Sequence, residues 1–393
     1  MQVVYAKEPF PTEVRATIFL AGPTPRDKSV PSWRPEALRL LAEAGFDGHV
    51  FSPEPRDGAW KKGYDEQVEW EEEGLNRADY ILFWIPRDMA TMPALTTNDE
   101  WGAWKNSGKV VLGTLPDPNN DRHTKYQEYY AVKYSVPHFK SLSETVGAAI
   151  AMTRPTGKRV IRKGGECQVP LCIWTLDSFQ AWLQSQQRVG NRLDGARTGW
   201  TFRVGPHKSI TFIWTIHVNV FIAAENRNKT NEIVLGRPDI STVVLWRRAP
   251  TLADTEVVLV KEFRSPARTP DGYIHELPGG SSKKNDAPIQ VALDEVQEEA
   301  GILLTTDRLK VHPFRQIGGT LSSFMAFLFS AELTSVEMER VKMDSMAGVA
   351  RGVVEDTERT YVEVVRVEDL LKNRMTDWAT LGMVFAVLSE AMR

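Results

Sequence analysis

Cysteine is scarce in this chain: 393 residues include only Cys167 and Cys172, too few for a disulfide framework or a cysteine-rich zinc site. A reducing, cytoplasmic compartment is the expectation. An excess of one charge is missing too, since 48 Lys and Arg stand against 51 Asp and Glu, a formal net charge of −3. That balance provides no general attraction to nucleic acid or to an anionic membrane. No apolar run approaches the roughly 18 residues of a membrane span. The opening MQVVYAKEPFPTEVR places charges ahead of any apolar stretch, unlike a secretory signal. Internal repeats and low-complexity tracts are absent as well, so the partners expected are small molecules.

What is present is a globular composition, 42% hydrophobic and 25% charged, with 27 Gly and 23 Pro spread along the chain. At roughly 150 residues per domain the length fits two or three domains. The first 150 residues alternate strand and helix signals. ATIFLAG (Ala16 to Gly22), HVFSPE, DYILFWIP (Asp79 to Pro86) and KVVLG read as buried strands, separated by the helical patterns RPEALRLLAEAGF, EQVEWEEEGLNRA and NDEWGAWKNSG. Such alternation predicts an α/β domain, a doubly wound parallel sheet whose ligand sits beyond the carboxyl ends of the strands. The basic stretch TRPTGKRVIRKGG reads as a linker, and CIWTLDSFQAWLQSQ as one amphipathic helix. Beyond them strands dominate around one acidic helix, Ala287 to Ala300, which predicts an α+β fold. The domains expected are therefore 1–152, a linker at 153–167, and 168–393.

Two constellations carry chemistry. On the acidic helix Glu295, Glu298 and Glu299 stand at i, i+3 and i+4, so three carboxylates crowd one face. A divalent cation, Mg²⁺ or Mn²⁺, relieves that repulsion, because hard cations take oxygen ligands and bridge to phosphate oxygens; a solvated acidic face is the plainer reading. In the first domain the strand ending in Gly22, Pro23, Thr24 and Arg26 presents a turn at the sheet's ligand edge, with an arginine suited to phosphate. Glu100 follows the strand DYILFWIPR near the start of a helix, with Asn98 or Asp99 as its cap, where a carboxylate could act as a nucleophile. Trp70, Trp84, Trp101 and Trp104 could stack a base, but tryptophans at helical spacing belong more often to a core.

FLAGPTPR, SWRPEA, EWEEEGLNRADYILFW and TTNDEWG with GKVVLG, over about Thr17 to Ile150, resemble the nucleoside 2-deoxyribosyltransferase family. The resemblance implies that Glu100 attacks the anomeric carbon and holds the sugar covalently, as in retaining glycosidases. It places Glu71 where an acid contacts or protonates the base, with Glu69 nearby. Phe19 falls where an aromatic residue assists the nucleophile, here without a hydroxyl, and the family's further Asp falls on Ala94, with Asp88 as the nearest substitute. Asn98 joins the substrate contacts by the same resemblance.

The segment GGSSKKNDAPIQVALDEVQEEAGI resembles the Nudix hydrolase signature through Gly280, Glu295, Val296, Glu298, Glu299, Gly301 and Ile302. Asp286 and Asp294 replace the Glu and Arg that brace the family's loop. VVLVKEFRSPARTPDGYIHELPGG, upstream, looks like the ADP-ribose pyrophosphatase branch. This implies Mg²⁺ ligands at Glu295, Glu298, Glu299 and Gly280, with Glu299 also catalytic, substrate contacts at Arg264 and Glu276, and a base at Glu355 or Glu358. The two resemblances imply a homo-oligomeric, bifunctional nucleotide-processing enzyme: glycosidic cleavage or transfer in the first domain, and hydrolysis of a nucleoside diphosphate derivative such as ADP-ribose in the second. The alternative is a second domain that senses a nucleotide without cleaving it.

Overall fold

The computed structural model describes all residues but 28, 60–62, 117, 154–160, 282–285, 353–357 and 393, and leaves the side chains of 118–122 and 207 undescribed. Two compact units result, Met1–Arg237 and Pro238–Arg393. No helix among the described residues is long and apolar enough to cross a membrane.

The first unit is built on a parallel sheet of β1 (Gln2–Tyr5), β2 (Thr17–Ala21), β3 (His49–Ser52), β4 (Tyr80–Ile85), β5 (Val110–Thr114) and β6 (His138–Phe139), in the order β1-β3-β2-β4-β5-β6. Strand side chains alternate between faces. Ile18, Leu20, Leu82 and Val111 meet α1 (Arg34–Glu43) and α5 (Leu142–Met152) on one side. Phe19, Phe51, Ile81, Phe83 and Leu112 meet α2 (Tyr64–Arg77), α3 (Leu95–Trp104) and α4 (Pro118–Lys133) on the other. From β3 onward the order is that of a doubly wound sheet whose direction of winding reverses between β2 and β4, the position at which such folds bind ligands.

The domain boundary expected at 153–167 lies instead at Arg237. Arg162, fully buried, pairs with buried Asp79 through Nη1–Oδ1 at 2.5 Å and Nη2–Oδ2 at 2.6 Å. The same carboxylate accepts the backbone N–H groups of Thr17 and Leu171. This buried ion pair ties the supposed linker to the sheet. Past it, the expected single helix is two, α6 (Leu171–Trp174) and α7 (Asp177–Arg188), broken where Leu176 turns extended. A sheet of three long antiparallel strands follows, β7 (Arg192–Val204), β8 (Ile210–Ile222) and β9 (Arg227–Gly236). Leu171, Trp174, Phe179, Leu183, Trp214 and Ile216 complete the apolar core begun by Ile18 and Leu20, so residues 168–237 belong with the first unit.

The second unit is a mixed nine-stranded sheet centred on β10 (Ile240–Arg247), β11 (Glu256–Glu262), β12 (Ile274–Glu276), β13 (Gly279–Gly280), β14 (Lys310–Val311), β15 (Arg315–Gln316), β16 (Met325–Glu332), β17 (Ala350–Arg351) and β18 (Thr360–Arg366). The main path runs β14-β16-β10-β11-β18-β17, parallel among the described residues only between β10 and β16. The acidic helix α8 (Pro288–Glu295) packs on one face with α9 (Ser335–Met346), and α10 (Val367–Asn373) and α11 (Trp378–Ala391) cover the other. α8 widens into one π turn, Val296–Ala300, closed by Gly301 in the left-handed region. Such turns are frequent at functional sites because they re-aim side chains.

Candidate functional site

In the first unit a cleft of about 1410 Å³ opens where β2 and β3 end and runs between α2 and α3. Gly22 turns the chain at the end of β2 with φ +152°, and a Cβ there would meet the Trp84 carbonyl oxygen at 2.2 Å, so the turn requires glycine. Arg34 holds this turn from below. Its Nη2 donates to Gly22 O (2.6 Å), Nε to Leu20 O (3.2 Å), and Nη1 to both Thr24 Oγ1 (3.0 Å) and Glu54 Oε1 (2.7 Å). Arg34 is 2% exposed.

Glu71 and Glu100 both line the cleft, one from each helix. Burial raises the Glu71 carboxyl above its usual range, opposed by the Gln67 amide, which donates to Oε1 at 2.7 Å, and by Arg34. Glu100 is pushed up to about 8 by burial first and by the Glu71 charge second, with Arg34 pulling the other way and Asp99 adding to the rise. Among the described residues none donates a hydrogen bond to it. The helix dipole has little hold on it, because α3 begins at Leu95 after Ala94 in left-handed geometry; Glu100 lies in the second turn, and neither Asn98 nor Asp99 is the cap.

Several expected contacts fall elsewhere. Phe19 is fully buried against Trp70, its ring turned by strand alternation to the sheet face opposite Ile18 and Leu20. Asn98 Oδ1 accepts from Arg87 and Gln127, away from the cleft. Pro23 and Arg26 lie outside the lining; the Pro23 carbonyl accepts from Trp33 and the Arg26 N–H donates to Thr91 O. Asp88 closes its own loop by accepting from Ala90 and Thr91. Of the tryptophans, Trp70, Trp84 and Trp101 are core, whereas Trp104 lines the cleft beneath the ammonium of buried Lys109. Glu69 sits in a shallow outer depression with Glu72 and Glu73. Sequence reasoning missed the role of Arg34. The signal was its spacing with Ala37 and Leu41, which puts it on the buried face of α1.

In the second unit Glu299 is 7% exposed and accepts the Gly279 N–H at 2.9 Å. Burial, and then the charge of Glu295, push it up to about 9. Glu295, pushed up to about 7 by burial and by Glu298, lies so close to Gly280 that a Cβ there would strike its Oε1. Glu298, in contrast, is exposed. Glu262 at the end of β11, which sequence reasoning did not single out, is buried and pushed up to about 7 by that burial. Carboxylate oxygens of Glu262, Glu299 and Glu358 come within 4.8 Å of one another. Arg264 reaches toward Glu262, Glu276 and Glu358. Glu355 lies outside the described residues. Asp294 is exposed and accepts from Gln290 at 2.7 Å on the outer side of α8. An all-oxygen set of carboxylates, two buried and one half-buried, is the donor chemistry of a hard divalent cation.

Residues 15–117 match the model of the family described as nucleoside 2-deoxyribosyltransferase like. The match spans β2 through β5 and contains Gly22, Arg34, Glu71 and Glu100. It supports a nucleoside 2-deoxyribosyltransferase-like domain in the N-terminal part, and that family suggests an enzyme of nucleoside glycosyl transfer. No curated protein matches the chain.

Proposed function

We propose that the first unit breaks the N-glycosidic bond of a nucleoside or nucleotide through Glu100 and Glu71. The observation that carries this is two half-buried carboxylates facing one cleft, each raised toward neutrality. Near pH 7 the proton sits on Glu100, raised to about 8 beside the Glu71 charge, and the attack begins once that proton has moved to Glu71, which leaves one carboxylate and one carboxylic acid in place. A Glu100 carboxylate oxygen attacks C1′ as the bond from C1′ to the base nitrogen breaks. The electron pair goes to that nitrogen, which takes a proton from Glu71. The resulting sugar ester is released when water or a second base attacks C1′, its proton going to the Glu71 carboxylate as the Glu100 carboxylate leaves. Screening the full chain against nucleosides and nucleotides, with products identified by mass spectrometry, tests this. Base release must vanish in Glu100→Gln.

For the second unit the resemblance to Nudix hydrolases supports Mg²⁺-dependent hydrolysis of a nucleoside diphosphate derivative, with ADP-ribose as the first compound to try. Glu295, Glu299 and the Gly280 carbonyl would hold the ion, which when bound supplies charge to a pyrophosphate oxygen. Arg264 and Glu276 would contact the substrate, and Glu358 stands near enough to the cluster to serve as base. One observation favours the sensing alternative: Asp294 is held by Gln290, so the arginine brace of that family has no counterpart at this position. AMP released from ADP-ribose by the full chain, and lost in Glu299→Gln, supports hydrolysis; tight binding without turnover supports sensing.

A further inference from the structure

The cleft of the first unit is larger than its two acids require. Its volume of about 1410 Å³ exceeds the roughly 300–1,000 Å³ of a site for one small ligand. Leu75 and Trp104, one helical turn of about 5.4 Å beyond Glu71 on α2 and Glu100 on α3, still line it. Beside them the wall is made by Pro170, Cys172 and residues 197–201 of β7, all outside the matched stretch 15–117. The family's own segment therefore encloses only part of the cleft.

β7 is fastened at both helices that carry the acids. Arg197 Nη2 pairs with Glu72 Oε1 on α2 at 2.6 Å, and Arg203 Nη1 donates to Gly108 O, just past α3, at 2.7 Å. Behind it, Trp214 and Ile216 of β8 are buried in the core and anchor the sheet. Opposite Thr215 and Ile216 the pairing of β7 slips by one residue, so that Gly199 bulges between Thr198 and Trp200. Bulges re-aim side chains and recur beside active sites. A regular strand offers a cleft only alternate side chains, whereas here five consecutive residues line it.

Two side chains of this wall do little for the fold. Trp200 is 52% exposed, with the Phe202 ring 6.0 Å away. Arg197 is 64% exposed, and its bridge to Glu72 is a surface ion pair that opens at little cost. We propose that this end of the cleft is a subsite for the second half of a dinucleotide, whose base stacks on the Trp200 indole and whose phosphates pair with the Arg197 guanidinium. The first half presents its N-glycosidic bond to Glu100 and Glu71. An indole accepts any base on its face, and the arginine fork matches phosphate oxygens, so β7 selects for the length of the substrate. The inference deepens the glycosidic reading of this cleft and rests on it.

Base release from diadenosine diphosphate and from adenosine, measured with the full chain in EDTA so that the second unit holds no metal, tests the subsite. The dinucleotide is expected to show the higher kcat/KM by about tenfold or more. Trp200→Ala and Arg197→Met are each expected to cut that preference by about tenfold, through KM. Both side chains are exposed, so neither substitution empties a core. Base release without a preference for the dinucleotide, or with one that survives both substitutions, overturns the proposal and leaves the glycosidic reading in place. Calorimetric titration of Glu100→Gln with the same two compounds identifies the opposite case. If neither compound releases base, yet the dinucleotide binds tighter and Trp200→Ala removes the difference, the glycosidic reading falls and the subsite stands; equal binding of the two compounds overturns the subsite as well.

Discussion

Replacing Glu100 by Gln separates the physical basis of the first site from its chemistry. The folded protein carries this carboxyl from an ordinary 4.5 to about 8, by burial and by the charge of Glu71. At 1.36 kcal/mol for each tenfold change in proton affinity, full ionisation costs about 4–5 kcal/mol at most. The sign follows from which state binds the proton better. The folded state holds it more tightly, so the associated stability is complete below pH 4.5 and is lost as pH rises through about 8. Glutamine keeps the shape and never ionises. The variant should therefore melt like the wild type at pH 4.5 and above it at pH 9, by on the order of 10 °C for a unit spanning Met1–Arg237. Tryptophan fluorescence and circular dichroism melts at pH 4.5, 7 and 9, with base release measured on the same samples, provide the assay. Equal melting temperatures at pH 9 would refute the claim that the cleft disfavours the Glu100 anion, and with it the shared proton on which the mechanism rests.

Other consequences are open to measurement. Base release by the wild type should follow a bell-shaped pH profile with an alkaline limb near 8, where the carboxyl pair loses its last proton. Glu71→Gln should move that limb to lower pH and reduce the rate by about 10²–10⁴ through loss of the acid; an unmoved limb assigns it to another group. Asp79→Asn leaves the fully buried Arg162 without its counter-ion and should cost about 3–5 kcal/mol in urea unfolding, with faster proteolysis around residues 162–171. A loss below about 1 kcal/mol would show that the pair is not what docks residues 162–171. Gly22→Ala must open the contact with the Trp84 carbonyl and should slow base release while the second unit's cation affinity stays at the wild-type value.

Much of the sheet was legible because the local signals agreed with one another. DYILFWIP is too apolar to be anything but a strand buried on both faces, and the helical patterns between strands require parallel crossovers. The boundary at Arg237 was not legible. TRPTGKRVIRKGG has the basic, loop-like composition of a linker, and nothing local says that one of its arginines is buried against Asp79, 83 residues earlier. Phe19 was no more legible, for a related reason: its motif position suggested an aromatic that assists the nucleophile, whereas β2 alternation sends its ring under α2.

The sequence by itself determined the chemistry available to this protein: a strand ending in a glycine turn, Glu71 and Glu100 on neighbouring helical patterns, and an acidic helix behind a Gly-Gly loop. Those features depend on residue identity and spacing, which local periodicity makes readable. Only the tertiary structure decided which acids meet. It brought Glu262, at a strand end, and Glu358, in the segment before β18, to Glu299 and left Glu298 exposed, and it set Arg34 beneath the turn at Gly22. Such long-range convergence follows from how elements pack around the cores, and the periodicity of no single segment encodes it.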